Sequence, residues 1–570
     1  LNIHSFFLIV WYTKKERRKI HMKWLQKKNR LFVLGLFIIS LIFFLPMFLN
    51  PYHVNNDTYF HVANVDVLVK MIQEDFWSGF FGKIVPLIGN NFGYGTRLFY
   101  PPLSHTLLAY LTYFLNFLSI DLLTSMKIFH FLIFFSSGLV MYYCSNRFFK
   151  KKKTSFIAAL IYMTSSYHIN EIYVRDAQAE SLIFLFLPLI LTSIKELLEG
   201  NKKAFYPLFI IGYVGGILSH FTLMIYFTLF LGIAMLFFYK KIFKKEFLVP
   251  FLKACGLVFL LTAFFFEPLF EHKLFGNYRV YQKWVMSWGI QHTALWGFEY
   301  FVPFDRDGIL FCLSIVTIIL LVAGFKFFRK DFKEEKYRLI LIFGILSLWL
   351  STVYFPWILM PYTMFMIQFG WRLVAFVILA VSFLAPLAIK NVKSKALYSI
   401  IVLGLVLSGF LSIHFATPDT VNLNNIEYVY GMGWQREYLP VKVEENIEYF
   451  NSRSEEVLTP DEHAKITTID NKVPYLKFTV ESDSEIEIEL PRIFYFGYSL
   501  TDEKGTSYDL WENDHGFLAA KVGGGTYTLE YTGSLPYRIC LYISLGTLLS
   551  IFVYYGIKLG KKVIYDSQKI

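Results

Sequence analysis

Charged residues are scarce in this sequence, and their scarcity excludes an ordinary soluble domain. Asp, Glu, Lys and Arg make up 17% of the 570 residues, whereas soluble domains carry about 25%. Hydrophobic residues reach 55% and aromatic residues 19%. Apolar runs of about 20 residues recur along the chain, and each is long enough to cross a hydrocarbon core. The sequence therefore predicts a polytopic α-helical membrane protein.

Cysteine and the common ligand-binding motifs are also nearly absent. The four cysteines lie in or beside apolar runs without metal or disulfide spacing, so we interpret them as small apolar residues. The sequence contains no P-loop, no GxGxxG motif and no zinc-ligand spacing. A cleavable signal peptide is not expected, because the run 31–49 is too long and lacks a small-residue cleavage site.

The net charge of +12 is unevenly distributed. The segment 416–536 holds 22 acidic and nine basic residues, so the basic surplus lies elsewhere. Lys and Arg in short loops mark the cytoplasmic side of a membrane protein, which explains the surplus without a nucleic-acid partner. The basic loops are 14–30, 147–153, 195–203, 239–245, 325–338, 390–395 and 558–562.

Thirteen apolar segments are candidate spans, but thirteen crossings would place basic loops outside. Dropping one crossing before residue 146 restores the charge pattern. The segment 101–120 is the weakest candidate, since it contains a histidine and has no basic flank. We expect it to lie in the outer interface, which leaves about 12 transmembrane helices with both termini inside. The candidate spans are 31–49, 104–119, 127–146, 155–169, 180–195, 205–219, 221–239, 248–268, 309–328, 338–356, 371–389, 396–414 and 537–558.

Four regions follow from this pattern. Residues 1–30 are predicted to be a cytoplasmic basic tail, in which 1–21 read as an upstream extension before Met22. Residues 31–414 form the transmembrane domain, with an outer loop at 50–126, and residues 537–570 form the last helix and a cytoplasmic tail. Between them, 415–536 is expected to be an extracytoplasmic, mainly β module, because stretches such as "YLKFTV" and "EIEIEL" alternate with a period of two.

The first candidate site residues, Asp57 and His61, follow the first span. They are four residues apart, so a helix beginning near Asn56 would place them on one face. The alternative is that Asn56 or Asp57 simply caps this helix. The two roles are compatible.

A second acidic stretch, "NEIYVRDAQAE" at 170–180, stands before another span. Asp176 and Glu180 are again four residues apart, and Glu180 lies at the membrane boundary, where a charged group is usually functional. The alternative is a solvated loop in which Arg175 pairs with Glu171 or Glu180.

Further candidates lie on the same predicted outer side. The stretch "GYGTRLFYPP" indicates a shaped loop that brings Arg97 and Tyr100 close to a ligand. Arg372 stands at the outer mouth of a span, where its planar guanidinium suits a phosphate, unless it anchors the interface with Trp371. His220 lies in a predicted tight turn, where packing is the alternative role.

The motifs "NDTYFH", "GYGTRLFYPP", "YVRDAQAE", "LSH" and "QFGWRLVAF" resemble those of a bacterial membrane family called 6-pyruvoyl-tetrahydropterin synthase-related. No pterin chemistry is visible in them. The C-terminal stretch "FYFGYSL" to "TYTLEYTGS" before a last span is similar to the tail of YfhO-like envelope glycosyltransferases, and the arrangement of outer acids resembles the GT-C superfamily. GT-C enzymes use sugars carried on a polyprenyl phosphate or pyrophosphate.

The resemblance implies a hexosyltransferase active at the outer face of the plasma membrane. Asp57 matches the first-loop acid, a general base or metal ligand, and Glu180 matches the second-loop acid. Asp176 stands where a small residue is expected, which leaves the choice between the two carboxylates open. Arg372 matches the arginine that holds the carrier phosphate.

A divalent cation such as Mg²⁺ or Mn²⁺ on Asp57 and Glu180 is a possible cofactor, and Arg97, Arg175, His61, His220 and Tyr100 are the further substrate-binding candidates. The expected partners are a polyprenyl-phosphate-linked sugar, an envelope polymer or glycolipid acceptor, and membrane lipids. Two other classes stay open, a flippase for lipid-linked saccharides and a non-catalytic envelope scaffold.

Overall fold

The computed structural model describes residues 27–282, 290–303, 305–306, 309–327, 329–361, 367–415 and 436–567. Helices dominate these ranges up to residue 415, and strands follow. The α-helices are Lys27–Leu49, Thr58–Glu74, Ser78–Phe81, Thr96–Phe99, Leu103–Asn116, Leu122–Phe149, Lys152–Met163, Ser166–Tyr173, Gln178–Ile183, Leu187–Leu198, Lys202–Ser219, Phe221–Leu236, Tyr239–Ile242, Lys245–Phe275, Ile290–Thr293, Ile315–Phe327, Glu335–Leu350, Val374–Leu384, Lys395–Phe415, Val441–Glu445, Ile447–Ser452 and Leu535–Ser567. Short 3₁₀ helices are Arg279–Tyr281, Gly297–Tyr300, Asp331–Lys333, Trp357–Leu359, Gly370–Leu373, Ala385–Ile389 and Arg436–Tyr438.

Seven apolar helices among the described residues have the length and composition to cross a membrane. Two further apolar helices, Phe221–Leu236 and Ile315–Phe327, are shorter. The chain is therefore a membrane protein by composition and structure, while the count of about 12 crossings stays a prediction. The seven are Asn29–Leu49, Leu122–Phe149, Gln178–Leu198, Lys245–Phe275, Gly370–Ile389, Lys395–His414 and Leu535–Lys558.

Basic loops that are distant in sequence meet at one end of the helical bundle. Arg147 Nε lies 2.9 Å from a carboxylate oxygen of Glu196, and Lys390 Nζ lies 2.6 Å from Asp331. Lys151 donates to the Lys390 carbonyl at 2.7 Å. The loops that the charge pattern assigns to one side thus contact one another.

The helices within residues 50–126 pack against the C-terminal module. The rings of Phe92 and Phe517 meet edge to face at 5.2 Å, and those of Phe99 and Tyr438 stack at 5.4 Å. The Ile493 amide donates to the Phe92 carbonyl at 3.0 Å. One hydrophobic core therefore spans the loop and the module, so that residues near 58 and 438 share a fixed framework.

The module is built from antiparallel strands, as its alternating sequence predicts. The strands are β3 Lys465–Lys472, β4 Tyr475–Glu481, β5 Ile486–Ile493, β6 Tyr498–Asp502, β7 Ser507–Tyr508, β8 Trp511–Glu512, β9 Phe517–Val522 and β10 Gly525–Tyr531; a separate hairpin has β1 Asp305–Arg306 and β2 Ile309–Leu310. A five-stranded sheet has the order β3-β4-β10-β6-β7 and a three-stranded sheet the order β5-β9-β8. In the central strand β10, Leu529 stands opposite Leu476 and Leu500, and all three are buried.

Several predicted boundaries were wrong. The candidate strand at 493–500 is divided between β5 and β6, because Gly497 has a φ of +109° and approaches Gly533 too closely for a side chain. Strand β3 was missed, since its polar residues are mostly exposed and show no clear alternation. The candidate span 309–328 becomes a short strand and a helix that begins at Ile315.

A glycine pair tests how tightly the module packs on its preceding helices. Gly516 and Gly505 share a φ of +81°, but a Cβ on Gly516 would lie 2.5 Å from a methyl group of Val443, whereas Gly505 faces open space. We expect Gly516→Ala to lower the melting temperature clearly more than Gly505→Ala, which carries only the backbone strain of about 1 kcal/mol. Equal melting temperatures of the two variants in detergent would contradict this packing.

Candidate functional site

Four separate stretches meet in a cluster of ionisable side chains, here called the acid–arginine cluster: Asp57, Glu171, Arg175, Glu180, His220 and Arg372. The stretches are the start of the helix Thr58–Glu74, the segment from the helix Ser166–Tyr173 to the helix Gln178–Ile183, the His220 turn and the 3₁₀ helix Gly370–Leu373. Gly370 lets the 3₁₀ helix Gly370–Leu373 pack closely against Ala294, because a Cβ at position 370 would lie 2.9 Å from Ala294 Cα.

Asp57 occupies the N-cap position of its helix, but its side chain makes no capping hydrogen bond. Its backbone amide instead donates to the Arg175 carbonyl at 2.9 Å, and its carboxylate lies 3.3 Å from Arg175 Nη2. The side chain is 40% exposed. The capping alternative therefore holds for the backbone position alone, and the carboxylate stays accessible to a ligand.

Arg175 joins the carboxylates of the cluster. Its Nη1 lies 2.7 Å from Glu171 and 3.0 Å from Glu180, while Nη2 faces Asp57. Its guanidinium also lies 4.6 Å from the ring centroid of Trp371. The alternative of a solvated loop with an internal ion pair is therefore right about the pairing of Arg175 with Glu171 and Glu180. It is wrong about the solvation, because all three residues are buried.

Glu180 links Arg175 to Arg372. One carboxylate oxygen accepts from Arg372 Nε at 2.9 Å and lies 3.6 Å from His220 Nε2. Arg372 Nη1 donates to the Ile367 carbonyl at 2.9 Å and to Gln368 Oε1 at 2.6 Å. Negative and positive side chains thus alternate from Asp57 through Arg175 and Glu180 to Arg372. Each buried charge has a partner of opposite sign, and the chain ends at the partly exposed carboxylate of Asp57.

Asp176 lies beside the cluster but is fully buried and occupied. Its two carboxylate oxygens accept from Thr58 Oγ1 at 2.7 Å and from His130 Nε2 at 2.6 Å. Its φ of +56° turns the chain between two helices. Because neither oxygen can reach a ligand here, Asp176 acts as a positioning residue that fixes the first turn after Asp57.

His61, one helical turn after Asp57, pairs with a second histidine. Its Nδ1 lies 2.8 Å from His105 Nε2, and Tyr100 stacks on His105 at 5.1 Å between ring centroids. Burial lowers the pKa of both histidines, and a short N···N contact requires one ring to donate and the other to accept. Burial also raises the pKa of Tyr100, and the nearby charges of Asp57 and Glu180 raise it further.

The histidine pair predicts a pH-dependent stability. In the unfolded chain both rings bind a proton near pH 6.5, whereas burial lowers their folded pKa, so the unfolded state binds more protons below that pH. We expect the melting temperature to fall as the pH drops from 7.5 to 5.5, and less steeply for His105→Gln. The exposed His463 supplies the control. If the melting temperatures of His105→Gln and His463→Gln changed with pH at the same slope, the histidine pair would not be the source of the pH dependence.

Arg97 lies apart from the acid–arginine cluster. Its Nη2 donates to the Gly79 carbonyl at 2.8 Å, and its neighbour Lys83 lies 5.2 Å above the Tyr537 ring. Burial lowers the pKa of Lys83 to about 7. The structure therefore does not bring Arg97 together with Asp57 and Arg372, and its role in substrate binding stays a prediction.

Glu437 is a site residue that the sequence reasoning missed. Solvent reaches its side chain, yet burial by the surrounding protein raises the pKa of Glu437, and the Asp57 carboxylate raises it further. This electrostatic effect indicates that Glu437 lies near Asp57. One acid among the 22 of the segment 416–536 carries no local signal. His130 and Gln368 were missed for a related reason, since only the fold supplies their partners.

The predicted metal pair, Asp57 and Glu180, does not form a joint cation site. The Arg175 guanidinium stands between the two carboxylates and contacts both. Within the described ranges, no group of three or more His, Cys, Asp or Glu side chains could hold a metal ion. The donor set does not fit a divalent cation, so we derive no chemical step through one.

A sequence model of the family described as "6-pyruvoyl-tetrahydropterin synthase related domain; membrane protein" matches residues 98–416. This match covers more than half of the chain, so the chain belongs to that membrane protein family, as its motifs indicated. The matched segment contains Arg175, Glu180, His220 and Arg372. Asp57 and the β module lie outside it.

A curated relative is an uncharacterized protein of Lactococcus lactis subsp. cremoris (strain MG1363). It is 25% identical over 366 residues, which cover 60% of this chain and 57% of the relative. The chain thus matches somewhat more than half of the relative's length. The relative's description names no activity.

Proposed function

We propose that this member of the 6-pyruvoyl-tetrahydropterin synthase related membrane family is a glycosyltransferase that uses a polyprenyl-phosphate-linked sugar. The observation that carries the proposal is the asymmetry of the acid–arginine cluster. Glu171 and Glu180 are buried and paired, whereas the Asp57 side chain is 40% exposed and, among the described residues, makes one long contact, to Arg175. One accessible carboxylate held by a rigid buried network suits a general base.

The reaction is a direct displacement. Asp57 accepts the proton of an acceptor hydroxyl while that oxygen forms a bond to the anomeric carbon of the sugar. The bond from that carbon to the carrier phosphate breaks, and the phosphate leaves with the bonding electrons. A single displacement inverts the anomeric centre.

Arg372 is the proposed partner of the leaving phosphate. Its Nε and Nη1 are held by Glu180, Ile367 and Gln368, while Nη2 has no hydrogen-bond partner within the described part of the chain. A guanidinium that is held at Nε and Nη1 still presents the two N–H groups of Nη2 to a phosphate without reorganisation. Glu180 is thus the residue that orients Arg372, and Arg175 and Glu171 hold Glu180 and Asp57 in place.

The proposed membrane arrangement puts this chemistry outside. Basic loops meet at one end of the bundle, and Lys and Arg in short loops favour the cytoplasm. Twelve crossings would place the acid–arginine cluster and the β module on the other side of the plasma membrane, where donors are lipid-linked. There the module would orient an envelope polymer or glycolipid acceptor.

Cysteine labelling tests this arrangement. In a background without the four native cysteines, Asn56→Cys should react with an impermeant maleimide added to intact cells. Lys203→Cys, in a basic loop, should react only after the cells are opened. Both positions are exposed. Labelling of Asn56→Cys solely from the cytosolic side would overturn the sidedness and the choice of donor with it.

The activity is tested without knowing the sugar. Envelope polymers from cells that express the wild type or Asp57→Ala should differ by one missing sugar substituent at equal amounts of membrane protein. If the protein were a flippase, its inactivation by the same substitution would give the same result in cells. Purified protein in liposomes, with lipid extract and acceptor polymer on one side, separates the two, because only a transferase forms product there.

A further inference from the structure

A cavity of about 610 Å³ lies at the lysine-rich end of the bundle, away from the acid–arginine cluster. Its polar rim consists of Lys151, Lys152, Lys153 and Lys390. Its apolar wall includes Leu31 and Phe156. The volume is within the usual 300–1,000 Å³ of small-molecule sites, and the proposed sugar transfer uses none of these residues.

Two lysines of the rim, Lys151 and Lys153, carry positive charge that no carboxylate among the described residues cancels. Asp331 pairs with Lys390 at 2.6 Å. Lys151 donates only to neutral acceptors, the Lys390 carbonyl at 2.7 Å and Asn391 Oδ1 at 3.1 Å, and Lys153 lies 5.3 Å from the Tyr398 ring centroid. Neither Lys151 nor Lys153 forms an ion pair with a carboxylate of the described residues. The rim therefore attracts an anion.

The apolar wall includes a surface that the protein itself leaves uncovered. The Leu31 side chain is 62% exposed, and it belongs to the helix Lys27–Leu49, a candidate membrane span that is mostly unburied in the protein. Ile389 and Val392 also line the cavity. The cavity thus joins a cationic rim to an apolar surface at the base of the bundle, which complements an anionic head group with an attached chain.

We propose that this cavity binds the phosphate of an anionic membrane lipid, with the first part of an acyl chain along Leu31 and Val392. Basic pockets between helices at the cytoplasmic side are a recognised form of anionic-lipid site. The ammonium groups of Lys151 and Lys153 contact the phosphate oxygens, and bound lipid ties the helix Lys27–Leu49 to the loops 150–153 and 389–392. This inference does not depend on sugar transfer.

Lipid titration of the full chain in detergent tests the site. Dioleoyl-phosphatidylglycerol should raise the melting temperature of the wild type at concentrations where dioleoyl-phosphatidylcholine does not. Lys153→Glu replaces an attraction of about 1 kcal/mol by a repulsion, so the apparent affinity for phosphatidylglycerol should fall roughly thirtyfold. Lys203→Glu makes the same charge change on an exposed lysine of another basic loop and should keep the wild-type affinity.

A second variant separates the cavity from surface charge. Val392→Phe leaves every lysine in place but fills the apolar side, and it should also reduce the protection by phosphatidylglycerol. Melting curves without lipid show whether each variant is folded. Equal affinities for Lys153→Glu and Lys203→Glu overturn the proposal. Protection by inorganic phosphate alone, at the same concentration as the lipid, overturns the lipid as the source of the phosphate.

Discussion

Asp57→Asn should abolish detectable sugar transfer while the protein stays inserted and folded. The substitution keeps the size of the side chain and removes the group that accepts the acceptor's proton, a contribution of about 10²–10⁴-fold in rate. Stability should change little, because the Asp57 side chain makes one long contact to Arg175 and does not cap its helix. The measurement is turnover in liposomes, with the melting temperature recorded for the same sample.

Asp66→Asn is the matched control. Asp66 lies on the same helix and pairs with Lys70 at 2.9 Å, away from the acid–arginine cluster. It should retain transfer within a factor of two to three, as expected for a surface pair. Wild-type turnover in Asp57→Asn would show that Asp57 is not the base and would leave Glu437 as the next carboxylate to test.

Arg175→Met should cause the largest loss of stability among these variants. It removes the guanidinium that neutralises Glu171 and Glu180 in a buried environment, and breaking a buried pair in this way costs about 3–5 kcal/mol. Glu180 retains Arg372, but Glu171 loses its ion-pair partner. We expect a clear fall in melting temperature in detergent, together with loss of transfer, since Asp57 also loses its ion pair with Arg175.

Two comparisons test the cause of that loss. Arg147→Met breaks the pair with Glu196 at the lysine-rich end, where the Arg147 side chain is 27% exposed and Lys195 still lies 3.0 Å from Glu196; this should cost at most about 1 kcal/mol. Adding Glu171→Gln to Arg175→Met removes the stranded charge and should restore part of the melting temperature. If Arg147→Met lost as much as Arg175→Met, burial of the network would not explain its energy.

The acid–arginine cluster was partly predictable from the sequence. Asp57, Glu180 and Arg372 stood out because a charge beside an apolar span is costly and is kept for a reason. Their partnership was not predictable, since Arg372 is 192 residues from Glu180 and local spacing says nothing about contacts at that distance. Glu437 had no signal at all.

Asp176 shows a different limit of the sequence. Its spacing from Glu180 made it the second candidate for the second-loop acid, after Glu180 itself. The structure separates the two, because the left-handed turn at Asp176 directs its carboxylate toward His130 and Thr58, while Glu180 faces the two arginines. A four-residue spacing implies a shared face only where the helix is continuous, and here the helix begins at Gln178.

The sequence by itself determined that this protein belongs in a lipid bilayer and where its helical and β regions lie along the chain. Long apolar runs must bury their backbone groups as helices in a bilayer, basic loops sort to one end, and strict alternation requires strands. Only the tertiary structure decided which ionisable groups meet, which of them are neutralised and which one remains accessible. Those outcomes depend on contacts between residues that are distant in the chain, because burial and pairing of a charge are properties of its surroundings and not of its neighbours in sequence.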